Sequence, residues 1–322
     1  MLSATCSVAA RLTLTSIPTP TRTLHSGAVT MRNTDTDRDI AAPPGPSDAV
    51  LDEVARQIRE ADALVVAAGA GMGVDSGLPD FRGTRGFWKA YPALGHRRLK
   101  FQDIASPAAF RSDPRTAWGF YGHRLGLYRQ VVPHEGFSLL RTWFAQRPLG
   151  GRVFTSNVDG QFQKAGLTDV QECHGSIHWL QCIHPCSEQV WRADDFVPQV
   201  DEAQCRLLND LPRCPNCHAV ARPAILMFDD DGWIDAPFER QADAMDNWLQ
   251  QVRTHRLIVL EIGAGSAITS VRNFAQRLAQ GKGARWLRIN PDGSRLPQGH
   301  GPSLQGSARD LLLQIEARAS IQ

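Results

Sequence analysis

Apolar positions along the chain fall into two rhythms. Val50, Leu51, Val54 and Ile58 recur at helical spacing and predict an amphipathic helix, with Ser47 placed as its N-cap. Ala63–Ala68 follows at once and is apolar at every position, the pattern of a parallel strand buried on both faces. Further short apolar runs at Val153–Thr155, Val170–Cys173, Leu257–Ile262 and Trp286–Ile289 predict strands, whereas Phe137–Gln146, Val271–Gln280 and Ala308–Glu316 predict helices. Alternation of this kind implies an α/β fold, a doubly wound parallel sheet of Rossmann-like type.

Two segments break the alternation. Ser106–Arg129, carrying Trp118, Phe120, Tyr121, Leu125 and Tyr128, predicts a helix that interrupts the first strand–helix–strand unit. Ser176–Arg222 has little periodicity and holds four spaced cysteines. These insertions, over residues 100–130 and 176–222, predict a smaller zinc-binding and helical lobe set into a domain spanning residues 46–320. Residues 1–45 stand apart: they are rich in Ser, Thr and Pro, carry Arg11, Arg22 and Arg32, and have no acid before Asp35. A mitochondrial transit peptide has that composition, and so does sequence preceding a true start at Met31. The tail is therefore read as a disordered or targeting segment that ends at Pro43-Pro44-Gly45-Pro46. The expected compartment is the cytoplasm, or the mitochondrion if residues 1–30 are a transit peptide.

Composition narrows the partners. The 322-residue chain is 42% hydrophobic and 21% charged, ordinary for a globular protein with a sizeable core. Its formal net charge is +2, and the nearest thing to a basic patch, His96-Arg97-Arg98-Leu99-Lys100, reads as a solvated loop. Nucleic acid is not an expected partner. No apolar run approaches the ~18 residues that span a bilayer, so no membrane is expected either. Nothing in the sequence assigns an oligomeric state.

The cysteines matter through their spacing. Cys182 and Cys186 are spaced C-x3-C, Cys214 and Cys217 C-x2-C, with 27 residues between the pairs. Two short spacings let four sulfurs reach one ion, so the pattern matches a structural zinc site with no open position. Pro185 and Pro215 stiffen the two turns; Cys205 and His184 are alternative ligands.

Chemistry concentrates where strands meet glycine. Gly69-Ala70-Gly71 follows the first strand and Gly263-Ala264-Gly265-Ser266 a later one, as where backbone N–H groups approach a pyrophosphate. The outer glycines of the first turn would leave no Cβ to push a phosphate away. The dehydrogenase fingerprint fails, because Val74 occupies its third glycine position and the loop-like Arg82–Lys100 region offers no ribose-binding acid. A nicotinamide dinucleotide site of another kind is expected. Thr155-Ser156-Asn157-Val158-Asp159-Gly160 places an amide and a carboxylate at a strand end, and Glu172-Cys173-His174-Gly175 places an imidazole at the next. Taken singly, Asn-x-Asp reads as a helix cap and His174 as a loop residue; in this order they read as a site.

With these pieces in sequence, the chain resembles the sirtuin family of NAD-dependent protein deacylases, over roughly Val50 to Ile315. The motifs are Gly69-Ala70-Gly71 with Ser76-Gly77-Leu78-Pro79-Asp80-Phe81-Arg82-Gly83, then Asn157-Val158-Asp159, His174-Gly175, the four cysteines, Arg222-Pro223 leading to Phe228, Gly263 to Ser266, and Ile289-Asn290. The resemblance implies a Rossmann domain plus a zinc lobe, with NAD and an acyl-lysine protein or peptide meeting between them. It implies NAD contacts from Gly69, Ala70, Gly71, the covering loop Asp80-Phe81-Arg82, Ser156, Asn157, Asp159, Gly263, Gly265, Ser266, Asn290, Ser307 and Ala308. Asn157 and Asp159 would hold nicotinamide, and His174 would accept a proton relayed from a ribose hydroxyl. The implied products are free lysine, nicotinamide and O-acyl-ADP-ribose. Phe228 would lie on the substrate side, with Tyr121 and Arg124 similar to a Tyr-x-x-Arg pair that binds acidic acyl groups. A phenol and a guanidinium three positions apart share a helix face, although a core tyrosine beside a surface arginine has the same spacing. The chain departs from the family pattern at Gly73, Ser156, Asp229-Asp230-Asp231-Gly232 and Gly265. Mono-ADP-ribosyl transfer or NAD hydrolysis, using the same bond with another acceptor, stands as the alternative activity.

Overall fold

The computed structural model describes residues 45–79 and 83–320. The N-terminal tail and the Asp80-Phe81-Arg82 loop lie outside the described residues. Helix α1 (Asp48–Glu60) buries Leu51, Val54, Ala55 and Ile58, the face its spacing marks. Ser47 occupies the N-cap position without a side-chain cap bond. Strand β1 (Ala63–Ala68) is buried throughout, followed by the single turn α2 (Gly71–Val74). The expected loop Arg82–Lys100 instead contains α3 (Gly83–Ala90) and α4 (Pro92–His96), with α5 (Phe101–Ile104) just beyond. Pro92 opens α4 where its missing N–H costs no bond. The single helix expected at Ser106–Arg129 is two, α6 (Pro107–Ser112) and α7 (Pro114–Gln130). Pro114 cannot donate to the preceding turn, and Asp113 caps the new start by accepting from Thr116 N at 3.2 Å.

Helix α8 (Glu135–Gln146) leads to β2 (Gly151–Thr155), the short α9 (Gln161–Lys164) and β3 (Val170–Glu172). The lobe strands come next: β4 (Gly175–Cys182), β5 (Val190–Arg192), β6 (Val200–Asp201), β7 (Arg206–Leu207) and β8 (Ala221–Ile225). They form an antiparallel β5-β4-β8 sheet and a separate β6-β7 pair. Pro223 is tolerated because β8 is an edge strand. The chain then returns through α10 (Ala236–Gln251), β9 (Leu257–Ile262), α11 (Ser270–Lys282), β10 (Arg285–Ile289), β11 (Ser303–Leu304) and α12 (Ala308–Ala319). No helix among the described residues is long and apolar enough to cross a membrane.

The main sheet runs β3-β2-β1-β9-β10-β11, with every pairing parallel. Successive residues of β1 point to opposite faces. Leu64, Val66 and Ala68 pack with Leu51 of α1, Leu140 of α8 and Leu312 of α12, while Ala63, Val65 and Ala67 pack with Leu249 of α10 and Phe274 of α11. Helices therefore cover both sides, the doubly wound arrangement. The lobe has its own core, in which Phe120, Tyr121 and Leu125 of α7 meet Ile177 and Leu180 of β4 and Leu207 of β7.

Strand order reverses between β1 and β9, so the crevice that receives ligands in such sheets opens beyond their C-terminal ends. There the two glycine turns touch. Gly71 N donates to the Gly263 carbonyl at 3.0 Å, and Gly69 N to that of Ile262 at 2.9 Å. A Cβ on Gly71 would stand 2.6 Å from Gly263 Cα, and one on Gly263 2.5 Å from the Gly71 carbonyl carbon. The room expected for a phosphate is thus taken, at the Cβ positions of Gly69 and Gly71, by the facing turn. Gly263 also has φ +60°, where side chains are strained. Gly263→Ala is expected to cost about 2 kcal/mol or more in urea unfolding. Gly126→Ala, whose Cβ meets nothing within 4 Å, is expected to leave the midpoint unchanged or slightly raised.

Candidate active site

The C-terminal ends of the central strands are tied into one polar constellation. At the end of β2, Thr155 Oγ1 donates to the Ala68 carbonyl at 2.9 Å and accepts from Asn157 N at 3.0 Å. That pins the start of the Asn-Val-Asp segment to the end of β1. Asn157 then reaches across, its Nδ2 donating to the Gly69 carbonyl at 3.0 Å. Ser156 is half-buried, and its N donates to Ala68 O at 3.3 Å. Asp159 is buried, and Oδ1 accepts from Gln161 N at 2.9 Å. Burial pushes its carboxyl up to about 6, against that hydrogen bond and the pull of the Arg124 charge.

His174 lies beside this segment because β3 pairs with β2. Thr155 is in register with Glu172, and Cys173 N donates to the Thr155 carbonyl at 2.9 Å. The imidazole Nε2 is 3.0 Å from Ser270 Oγ at the start of α11. Surrounding protein lowers its pKa from the ordinary 6.5, so the ring is neutral at pH 7 and one nitrogen is free to accept a proton. Beyond β10, Asn290 Nδ2 donates to the Ala264 carbonyl at 2.8 Å, which also receives Arg272. Gly265 and Ser266, just after Ala264, are exposed. Ser307 and Ala308 have structural employment: Ser307 Oγ caps α12 by accepting from Asp310 N at 3.2 Å, and Ala308 is buried in the sheet core.

Three contributors escaped the sequence. Ser270 carries no motif and is recognised only through the return of α11 to the sheet. Gln161 is buried beside Asp159 because the chain turns sharply at Gly160. Glu172 was legible in principle, as an acid inside an apolar run two positions before His174. It is buried, its carboxyl is raised by that burial to about 7, and its N donates to Gln241 Oε1 at 2.8 Å.

On the lobe side, Tyr121 and Arg124 are brought together, and both are buried. The "surface arginine" alternative is thereby corrected: apolar side chains of the lobe close over α7. The guanidinium carbon lies 5.2, 5.7 and 5.3 Å from the ring centroids of Phe120, Tyr121 and Tyr128. Its Nε donates to the Tyr128 hydroxyl at 2.9 Å. Phe228 is half-buried, edge-on to Phe101 at 5.8 Å, with its N donating to the Ala105 carbonyl at 2.9 Å. In the acidic run that follows, Asp229 and Asp231 are exposed. Asp230 turns inward to a 2.8 Å ion pair with buried Arg222.

The thiols of Cys182, Cys186, Cys214 and Cys217 all lie within 4.8 Å of one another. Cys182 and Cys217 sulfurs are 3.5 Å apart, those of Cys186 and Cys214 3.6 Å. Cys205, weighed as an alternative ligand, is buried in the lobe core, and His184 is not part of the cluster.

A six-stranded parallel sheet with a polar constellation at its switch point, and an inserted lobe carrying a four-cysteine cluster, defines a Rossmann-type protein with a cysteine-rich second lobe. Comparison with known proteins agrees: the Sir2 family model matches residues 69–259. The chain belongs to the Sir2 family. It is 26% identical over 284 residues to an NAD-dependent protein deacylase of Daphnia pulex, covering 81% of this chain and 94% of that one. It is 30% identical over 241 residues to an NAD-dependent protein deacetylase of Shouchella clausii, covering 74% and 87%. Its fold matches a solved Sir2 homolog–NAD complex with a TM-score of 0.63 at 22% identity, over 84% of this chain and 95% of that one.

Asp159 makes the site costly to fold. Its folded pKa of about 6 lies above the ordinary aspartate value of 3.8, so the folded form holds its proton more tightly than the unfolded chain. Stability is then fully present below the lower value and is lost as pH rises through the higher. Asp159→Asn is expected to raise stability at pH 7.5 by roughly 2–3 kcal/mol, with the gain vanishing below about pH 4. Urea midpoints across that pH range measure it.

Proposed function

We propose that this protein is an NAD-dependent protein-lysine deacylase that releases nicotinamide and forms O-acyl-ADP-ribose. The observation that carries this reading is the meeting of Asn157, Asp159 and His174 at the switch point, joined through Gly69 and Ser270 to both glycine turns. Sir2-family membership and the activities named for its relatives support it.

The residues fit NAD. The crevice edge consists of backbone turns with small residues, and its amide, carboxylate and imidazole suit a ligand carrying a carboxamide and ribose hydroxyls. NAD, when bound, supplies a glycosidic bond that breaks to release nicotinamide and offers the ribose carbon to the acyl oxygen. The protein's part is holding and proton transfer. Asn157 is held at its main-chain N–H by Thr155 Oγ1 and at its side-chain amide by the Gly69 carbonyl. Asp159 offers a buried acceptor to an amide N–H. The neutral His174 takes up a hydroxyl proton; where Nε2–H donates to Ser270 Oγ, Nδ1 carries the accepting lone pair. Closure against water matters because a ribosyl cation is hydrolysed readily, and the Asp80-Phe81-Arg82 loop is assigned that task.

The four-cysteine cluster fits one structural zinc ion. Four soft donors at mutual distances under 4.8 Å suit tetrahedral coordination and leave no position for water. Zinc would close the two turns of a lobe whose sheet strands are short. Arg124, with Tyr121, is assigned to the acyl group, and a buried guanidinium ringed by phenols favours acyl chains ending in a carboxylate. The protein is further proposed to act in the cytoplasm, or in the mitochondrion if residues 1–30 direct it there.

Nicotinamide release is expected only with an acyl-lysine peptide present, and His174→Ala should lower it at least ~100-fold. Succinyl-lysine peptide should be turned over faster than acetyl-lysine peptide, and Arg124→Met should abolish that preference. Equal rates on both peptides in the parent protein would remove the acidic-acyl assignment; nicotinamide release undiminished in His174→Ala would remove the mechanism.

A further inference from the structure

The acyl-side arginine and the carboxylate of the Asn-Val-Asp segment belong to one buried run of hydrogen bonds. Arg124 Nε donates to the Tyr128 hydroxyl at 2.9 Å. The Tyr128 carbonyl accepts from Gln161 Nε2 at 3.0 Å, and Gln161 N donates to Asp159 Oδ1 at 2.9 Å. Gln161 is 1% exposed, Tyr128 5%, Asp159 8% and Arg124 9%. The run clamps α7 to the segment after β2 in an interior nearly free of water, where a charge acts over a longer distance than in solvent.

Among the described residues, the other titratable groups around Asp159 do not supply a positive charge. From β3, Glu172 is an acid, raised by burial to about 7 and partly by Asp159 itself. From β4, His178 Nε2 meets the Asp159 carbonyl at 2.9 Å, and burial lowers its pKa, favouring the neutral ring. From α7, the Tyr128 phenol is pushed up by burial and stays neutral. Among the described residues, Arg124 is the cation that acts on Asp159, drawing its carboxyl down against burial.

We propose that Arg124 is the counter-charge of Asp159 as well as the cation facing the acyl group, so that an anionic acyl group arriving at Arg124 loosens the hold on ionised Asp159. In this role Arg124 is a positioning residue for the nicotinamide side of the site, and Gln161 and Tyr128 set its spacing. Acyl charge and proton occupancy at Asp159 become linked: a carboxylate-tipped substrate makes that side chain easier to protonate. The linkage to acyl charge rests on the deacylase reading; the counter-charge itself does not.

The test is carbon-13 NMR titration of the full chain labelled at aspartate carboxyls, with the Asp159 signal assigned by its loss in Asp159→Asn. In Arg124→Met the midpoint is expected to rise by about half a pH unit or more, and in Arg124→Lys to return toward the parent value. An unchanged midpoint in a folded Arg124→Met protein overturns the counter-charge, as does an equal rise in the Lys variant. The parent protein provides an arm without substitution: succinyl-lysine peptide should raise the midpoint and acetyl-lysine peptide should leave it. Succinyl peptide that binds without moving the signal overturns the linkage. If neither peptide binds, the acyl reading fails, and the comparison of Met with Lys still decides the counter-charge.

Discussion

Where the turn after β1 meets the turn after β9, no side chain stands between two backbones. Gly71 and Gly263 approach so closely that a methyl group on either would overlap main-chain atoms of the other. This contact sets the separation of the two central strand ends, and much of the site hangs from it. Asn157 is oriented by the Gly69 carbonyl, Asn290 by the Ala264 carbonyl, and His174 by Ser270 on the helix that follows the second turn. Shifting one turn against the other would change the spacing of these three side chains. The glycines serve the chemistry indirectly, by fixing the frame on which amide, carboxylate and imidazole are held.

That frame carries charges that a purely structural core would lack. Asp159, Glu172 and Arg124 are all buried, and burial raises both carboxyls. Elsewhere in the chain buried charges are matched directly, as Glu261 with Arg288 across β9 and β10 and Arg222 with Asp230 beneath the lobe. Among the described residues, Arg124 and Asp159 are linked through neutral intermediaries, Gln161 and Tyr128. Buried charge of this kind is a cost to folding, and groups whose protonation burial perturbs are common at functional sites.

Much of the fold could be read from apolar rhythm. β1 and β9 begin and end where their runs do, because a strand buried on both faces is apolar at nearly every position, Glu261 of β9 being the exception that Arg288 pairs. Prediction failed where punctuation outweighed periodicity: Pro114 divides one expected helix into α6 and α7, and Pro92 starts a helix inside an expected loop. At the site, residues at strand ends followed by glycine or Asn-x-Asp were identifiable, and so were the four cysteines. Ser270 and Gln161 were not, since their roles come from the packing of α11 and α7 and from no local spelling. Ser307, placed at the cofactor by resemblance, also caps α12 with its side chain.

The reaction proposed for this crevice is acyl transfer to the ribose carbon with water excluded. Mass spectrometry of the products formed from NAD and succinyl-lysine peptide tests this most directly. Nicotinamide, free lysine peptide and O-succinyl-ADP-ribose are predicted in equal amounts. Nicotinamide accompanied by free ADP-ribose, with the peptide still acylated, would contradict it.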